Sequence, residues 1–131
     1  MKVLVIDDSR TMRKMIIKQL NQLGINDTAE AGDGHEALAE LIKLHKMNMK
    51  ADLILTDWNM PTMSGLEFAQ TIRQRDFLKN VPIIMITTNN TKNDVVAAIG
   101  AGVNNYITKP FEAATLKEKI IQTLKQVHGI G

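Results

Sequence analysis

The chain has 131 residues, enough for one domain with its own hydrophobic core. A formal net charge of +2 offers no bulk attraction for nucleic acid or membrane, and 4% aromatic residues leave little for a base-stacking platform. The lack of cysteine excludes disulfides, thiolate chemistry and sulfur-ligated zinc, no run approaches membrane-spanning length, and Met1-Lys2 leads into an apolar run without a signal peptide, so a cytoplasmic location is expected.

Val3 to Ile6 is continuously apolar, the pattern of a strand covered on both faces, and it runs into Asp7-Asp8. Ser9 suits the cap of a helix from about Thr11 to Leu23, on which Met12, Met15, Ile16, Leu20 and Leu23 form one stripe and after which Gly24 is the stop. A weaker strand, Thr28 to Ala31, precedes the turn Gly32-Asp33-Gly34 and a helix marked by Ala37, Leu38, Leu41 and Ile42. His45 to Lys50 reads as a polar connection to the strand Leu53 to Thr56, which ends on Asp57. Pro61, Ser64 and Gly65 break the chain before a helix carrying Leu66, Phe68, Ala69 and Ile72. Pro82 opens a strand to Thr87; Asn89 to Asp94 is helix-start composition, Val95, Val96 and Ile99 are the expected apolar side of the fourth helix, and Gly100 and Gly102 end it. A short strand with Tyr106 and Ile107 runs into Lys109-Pro110, a candidate cis bond, and Leu116, Ile120, Ile121, Leu124 and Val127 stripe the last helix. Five strands alternating with five helices predict an α/β fold: a doubly wound, five-stranded parallel sheet with helices on both faces.

In such sheets ligands bind outside the carboxyl ends of the strands. Asp7, Asp8, Asp57, Thr87 and Lys109 would then meet along one edge. Each has a plainer reading alone: a solvated or helix-capping Asp pair, a turn Asp, a strand Thr, an exposed Lys. Their coincidence at four strand ends is what points to phosphate chemistry. Clustered carboxylates repel unless a cation intervenes, and Mg²⁺ is a hard cation satisfied by carboxylates, water and phosphate oxygens. Aspartate can accept a phosphoryl group as an acyl phosphate, and lysine suits a phosphoryl oxygen as a compact charge. His35, His45 and His128 lie on separate elements without ligand spacing and read as surface or helix-edge residues.

Asp7-Asp8-Ser9, Asp57-Trp58-Asn59-Met60-Pro61 with Met63-Ser64-Gly65, Thr87, and Tyr106-Ile107-Thr108-Lys109-Pro110-Phe111 resemble, in order and across essentially the whole chain, the receiver domain of two-component response regulators. Within that family the resemblance is greatest to stand-alone chemotaxis regulators. It implies a single receiver domain over 1–131 with the flavodoxin-like (βα)5 fold and strand order 2-1-3-4-5, the order known for flavodoxin and the chemotaxis regulators. It implies that Asp57 accepts a phosphoryl group from a phosphohistidine on a chemotaxis-type histidine kinase. Asp8, Asp57 and the backbone carbonyl of Asn59 would hold Mg²⁺, with Asp7 helping through water and Mn²⁺ as a substitute. Lys109 and Thr87 would contact the phosphoryl group, Thr87 swinging in and Tyr106 rotating inward behind it. Lys92, Val95, Ile99, Tyr106 and Lys119 match family positions that contact the flagellar motor switch; a phosphatase is a further implied partner, and the protein is expected to be a monomer. It would be a switch rather than an enzyme, with self-catalysed phosphorylation and slow self-dephosphorylation only.

Three features depart from the family pattern. Asn89 stands where an acid is usual, Thr88 where a small residue is usual, and the connection from His45 to Lys50 is long. The first bears on dephosphorylation and phosphatase recognition, the second on access to Asp57. A phosphorelay intermediate or phosphate sink is the alternative within the same class. A phosphohydrolase with an Asp nucleophile typically needs an acid two residues later, where Asn59 stands and no general acid is possible. A flavin or nucleotide binder lacks its Gly-rich loop after the first strand.

Overall fold

The computed structural model describes residues 1–128. Strands β1 (Lys2–Ile6), β2 (Asp27–Ala31), β3 (Leu53–Thr56), β4 (Ile83–Thr87) and β5 (Asn105–Thr108) alternate with helices α1 (Arg10–Gln22), α2 (Gly34–Lys46), α3 (Gly65–Arg73), α4 (Lys92–Gly100) and α5 (Ala113–His128). All pairings are parallel and the order is β2-β1-β3-β4-β5. This is the doubly wound parallel sheet expected from the alternation of elements, in the flavodoxin-like strand order that the resemblance implied.

Because side chains alternate along a strand, each continuous apolar run feeds two cores. Leu4, Ile6, Ile54, Ile83 and Met85 face one side, under Ala37 and Leu41 of α2, Phe68, Ala69 and Ile72 of α3, and Ala98 of α4. Val3, Val5, Leu53, Leu55, Ile84, Ile86 and Ile107 face the other, under Ile16 and Leu20 of α1 and Leu116 and Ile120 of α5. The helices are started by side-chain caps: Ser9 accepts from Met12 N–H and Asp33 from Glu36 N–H, while Ser64 with Glu67 and Thr91 with Asp94 form reciprocal capping boxes. No helix among the described residues is long and apolar enough to cross a membrane.

Several expectations need correction. On α1, Met12, Ile16, Leu20 and Leu23 pack as expected, but Met15 is 38% exposed and Ile17 packs against the core instead. His45 and Lys46 are not connection but the last turn of α2, where Leu44 is buried and the basic Lys43, His45 and Lys46 suit the negative end of the helix dipole. The reversal comes later, at Asn48, in the left-handed region with φ 58°. A 3-10 turn over Asp76–Leu78 was not anticipated. On α4, Val96 is 62% and Ile99 51% exposed, and the small Ala98 is what enters the core, with Val95 packed at its margin. On α5, Ile121 is exposed and Thr123 is buried in its place, its hydroxyl donating to Lys119 C=O (2.7 Å) and accepting from Asn105 Nδ2 (3.1 Å). Gly100 is helical; the left-handed residue that ends α4 is Gly102, φ 101°.

Candidate functional site

The site is built by strands that stop one residue short of their functional side chains. Asp57 N–H donates to Ile6 C=O (2.9 Å), Asp7 N–H to Ala31 C=O (3.1 Å) and Lys109 N–H to Thr87 C=O (2.8 Å), so each sits one step beyond its strand while still held by the ladder. Asp7 is 2% and Asp57 8% exposed; Asp8, next along, is exposed. One carboxylate oxygen from each of Asp7, Asp8 and Asp57 lies within 4.8 Å of the other two. Lys109 Nζ reaches from β5 to Asp7 Oδ2 at 2.9 Å and Asp57 Oδ2 at 3.3 Å. The Lys109-Pro110 bond is cis.

The remaining lone pairs are partly used. Asp57 Oδ1 accepts from Trp58 N–H (2.7 Å), and Asp7 Oδ1 from Ser9 N–H (2.9 Å). Burial pushes the Asp57 carboxyl above its ordinary range; Lys109 and Trp58 N–H oppose the shift and the neighbouring Asp7 charge adds to it. A buried acid made harder to ionise by its location and its neighbour is stabilised by added positive charge. Three carboxylates offering hard oxygen donors to one point suit a hard divalent cation such as Mg²⁺.

Thr87 is fully buried, and its hydroxyl accepts from Asn89 N–H (3.2 Å) rather than touching Asp57. Tyr106 lies inward and is 9% exposed; its hydroxyl donates to Asn89 C=O at 2.6 Å. Burial first, then the Asp94 and Asp57 charges, push the phenol up to about 12. Asn59 Nδ2 donates to Asn89 Oδ1 (3.1 Å). Asn89 therefore joins Thr87, Tyr106 and Asn59 through three separate atoms. The sequence marked it only as a missing acid. Its hub role depends on contacts from residues 2, 17 and 30 positions away, which no local pattern announces.

Thr88 is exposed beside the buried Thr87. Lys92 and Ile99 are exposed, Val95 and Lys119 half-buried, and Tyr106 is buried in β5. His35, His45 and His128 are on the surface, away from the acids, with the His45 ring stacked on Phe77 at 3.9 Å. Arg13, which carried no sequence signal, and Gly65, which the sequence marked only as a break before α3 and as part of the family motif, also matter here. Arg13 Nη1 donates to Asp7 C=O at 2.6 Å, and Gly65 packs against the Asp57 backbone, its N–H donating to Trp58 C=O at 2.8 Å.

Comparison with known proteins agrees with this geometry. Residues 3–121 match the response regulator receiver domain. The chain is 43% identical over 129 residues to the chemotaxis protein CheY of Pseudomonas aeruginosa, covering 98% of this chain and 100% of that protein. It superposes on the structure of Vibrio cholerae chemotaxis protein CheY4 with a TM-score of 0.83 at 34% identity, covering 93% of this chain and 97% of that one. The receiver domain of a Pseudomonas aeruginosa sensor histidine kinase, solved with a magnesium ion coordinated in its active-site cleft, gives a TM-score of 0.81 at 27% identity over 94% of this chain and 96% of that one. Fold, acid cluster and relatives agree: the chain belongs to the response regulator receiver domain family, with chemotaxis regulators among its near full-length relatives.

Proposed function

We propose that the protein is a phosphorylation-driven switch of bacterial chemotaxis, with Asp57 as phosphoacceptor. The observation that carries this is Lys109 Nζ, which spans Asp7 and Asp57 at the point where the Asp8 carboxylate completes the acid cluster. An Asp57 oxygen attacks the phosphorus of a phosphohistidine on a histidine kinase. The O–P bond forms as the P–N bond breaks, and the imidazole leaves on the kinase with the electron pair of the broken bond, taking up a proton. Asp8, Asp57 and the Asn59 backbone carbonyl would hold Mg²⁺, with Asp7 helping through water, and the bound cation would supply charge neutralisation for phosphoryl oxygens. Mn²⁺ is an acceptable substitute. Lys109 exchanges a carboxylate partner for a phosphoryl oxygen.

Thr87 then releases Asn89 N–H and donates its hydroxyl to the phosphoryl group. Because Tyr106 is tied to the same Asn89 backbone, this change is felt on the face made by α4, β5 and α5. The exposed Val96 and Ile99 give that face apolar area for a partner. The partner in this reading is the flagellar motor switch, docking on Lys92, Val95, Ile99, Tyr106 and Lys119, with a phosphatase as a further visitor. The protein acts in the cytoplasm as a single monomeric receiver domain and turns over no substrate beyond its own acyl phosphate. Asn59, with its amide engaged by Asn89 and no acidic proton, does not serve as the general acid of a hydrolase.

Trp58 is the only tryptophan and its N–H contacts Asp57 Oδ1. Mg²⁺ alone is expected to change its fluorescence, and acetyl phosphate or beryllofluoride to change it further. Asp57→Asn should form no base-labile phosphate. Absence of both the Mg²⁺ response and the labile phosphate in the wild type would refute the receiver chemistry. For the output, beryllofluoride should tighten binding to a motor-switch peptide in a titration, and Tyr106→Ala should change that gain. Equal affinity with and without beryllofluoride would leave a phosphate sink as the better description.

A further inference from the structure

Asp7 is held on three sides: its N–H by Ala31 C=O, and its two carboxylate oxygens by Ser9 N–H and Lys109 Nζ. Asp8 is different. Its carboxylate is exposed and accepts no hydrogen bond among the described residues, so its aim toward the cluster depends on the backbone that carries it. That backbone begins with the peptide unit joining Asp7 to Asp8, a rigid plane whose orientation is set once its carbonyl oxygen is held. Arg13, on the first full turn of α1, holds it: Nη1 donates to Asp7 C=O at 2.6 Å. The guanidinium is aimed in turn by Glu30, whose Oε1 accepts from Arg13 Nε at 3.0 Å and whose Oε2 takes Lys14 Nζ at 2.7 Å. Glu30 sits on β2 directly opposite Val5 of β1, so the anchor belongs to the sheet rather than to a loop. Arg13 and Glu30 side chains are 17% and 29% exposed, which keeps the pair from dissolving into solvent.

A guanidinium beside an acid cluster has two opposed effects on a metal. It orders the peptide plane that aims Asp8, which strengthens binding. Its charge also repels the cation, which weakens it. Glu30, shared with Lys14, offsets part of that charge while leaving the hydrogen bond in place. We propose that Arg13 is a positioning residue for the metal-binding acids, orienting the Asp7–Asp8 peptide through its carbonyl, with Glu30 as the anchor that both aims it and offsets part of its charge. This rests on the metal reading of Asp7, Asp8 and Asp57.

The test is a MgCl₂ titration followed by Trp58 fluorescence, with thermal unfolding measured in parallel without metal. Arg13→Met is expected to raise the Mg²⁺ dissociation constant by about 10-fold, the usual scale for losing a partner that orients a metal ligand. Arg13→Lys keeps the charge but cannot reach both oxygens in one geometry, and should recover only part of the loss. Glu30→Gln should weaken Mg²⁺ as well, and should add little when combined with Arg13→Met because the two act as one unit. A lower melting temperature with an unchanged Mg²⁺ midpoint would show a purely structural arginine and overturn the proposal. Tighter Mg²⁺ binding in Arg13→Met would overturn it too, by showing that charge outweighs orientation. A wild type without any Mg²⁺ response removes the metal reading itself, and this proposal with it, whereas a wild-type response unchanged in every variant removes this proposal alone.

Discussion

Gly65→Ala is expected to cost about 3 kcal/mol of stability and to abolish the beryllofluoride response of Trp58. A Cβ at Gly65 would overlap the carbonyl oxygen of Asp57, stand 3.0 Å from Asp57 C and 3.1 Å from Trp58 Cα. All three are backbone atoms, so no rotamer change relieves the clash. Either the segment after β3 shifts or α3 does. The first displaces Asp57 from Lys109, now 3.3 Å away; the second pulls Phe68, Ala69 and Ile72 out of full burial. Urea unfolding and the fluorescence titration measure the two consequences. Gly100→Ala is the control: a Cβ there meets nothing within 4 Å, the residue is helical, and a gain of about 0.5 kcal/mol is expected. A Gly65→Ala protein that binds beryllofluoride like wild type would refute the close-approach argument.

Lys109→Met is expected to destabilise the protein by about 3 kcal/mol at neutral pH and to prevent phosphoryl transfer. The substitution leaves Asp7 and Asp57 buried and facing one another without the ammonium that spans them. Asp57 already titrates above its ordinary range because of burial and Asp7, and Lys109 is the first influence opposing that shift. Its removal pushes Asp57 further up. A carboxyl whose folded pKa lies above its unfolded value destabilises the fold at neutral pH. The fold recovers stability as pH falls through the folded value, because the native state then binds the extra proton. The deficit of Lys109→Met should therefore shrink on acidification from neutral pH toward the raised Asp57 value, and shrink also on addition of Mg²⁺ to the acids. Chemical unfolding at several pH values, with and without MgCl₂, tests this. A deficit independent of both would mean that Lys109 acts through packing of its alkyl stem instead.

The parts of the molecule that were legible in sequence share one property: the information is local. β1, β3 and β4 are covered on both faces, so they read as unbroken apolar runs. Asp7, Asp57 and Lys109 each follow a strand directly, so locating the strand located the residue. The cap Ser9 is visible in the same way, while Asp33, Ser64 and Thr91, which read only as turn, break and helix-start composition, prove to be caps acting within their own segments.

What sequence alone misjudged is the side of a helix that meets the sheet. Val96, Ile99 and Ile121 sit at helical spacings with apolar neighbours, yet they are exposed, because Ala98 of α4 and Thr123 of α5 are the residues turned inward. Periodicity gives a stripe but not its direction, and a small residue in the contact outranks larger ones beside it. The end of α2 differs for a related reason: solvent-facing His45 and Lys46 look like loop composition although the buried Leu44 lies in the same helical turn, and the reversal at Asn48 comes within the expected connection.

By itself the sequence determined the alternation of elements, the parallel sheet that follows from it, and the residue types that strand ends deliver to one edge. Tertiary structure alone decided how those residues are held: the Lys109 ammonium between two acids, Asn89 joining Thr87, Tyr106 and Asn59, Gly65 against Asp57, and Arg13 on the Asp7 carbonyl. The physical reason is that strand position is set by hydrogen-bond ladders and burial within a few residues. The direction of a side chain and the partner of a carbonyl are instead set by whichever distant segment the closed sheet brings within 3 to 4 Å.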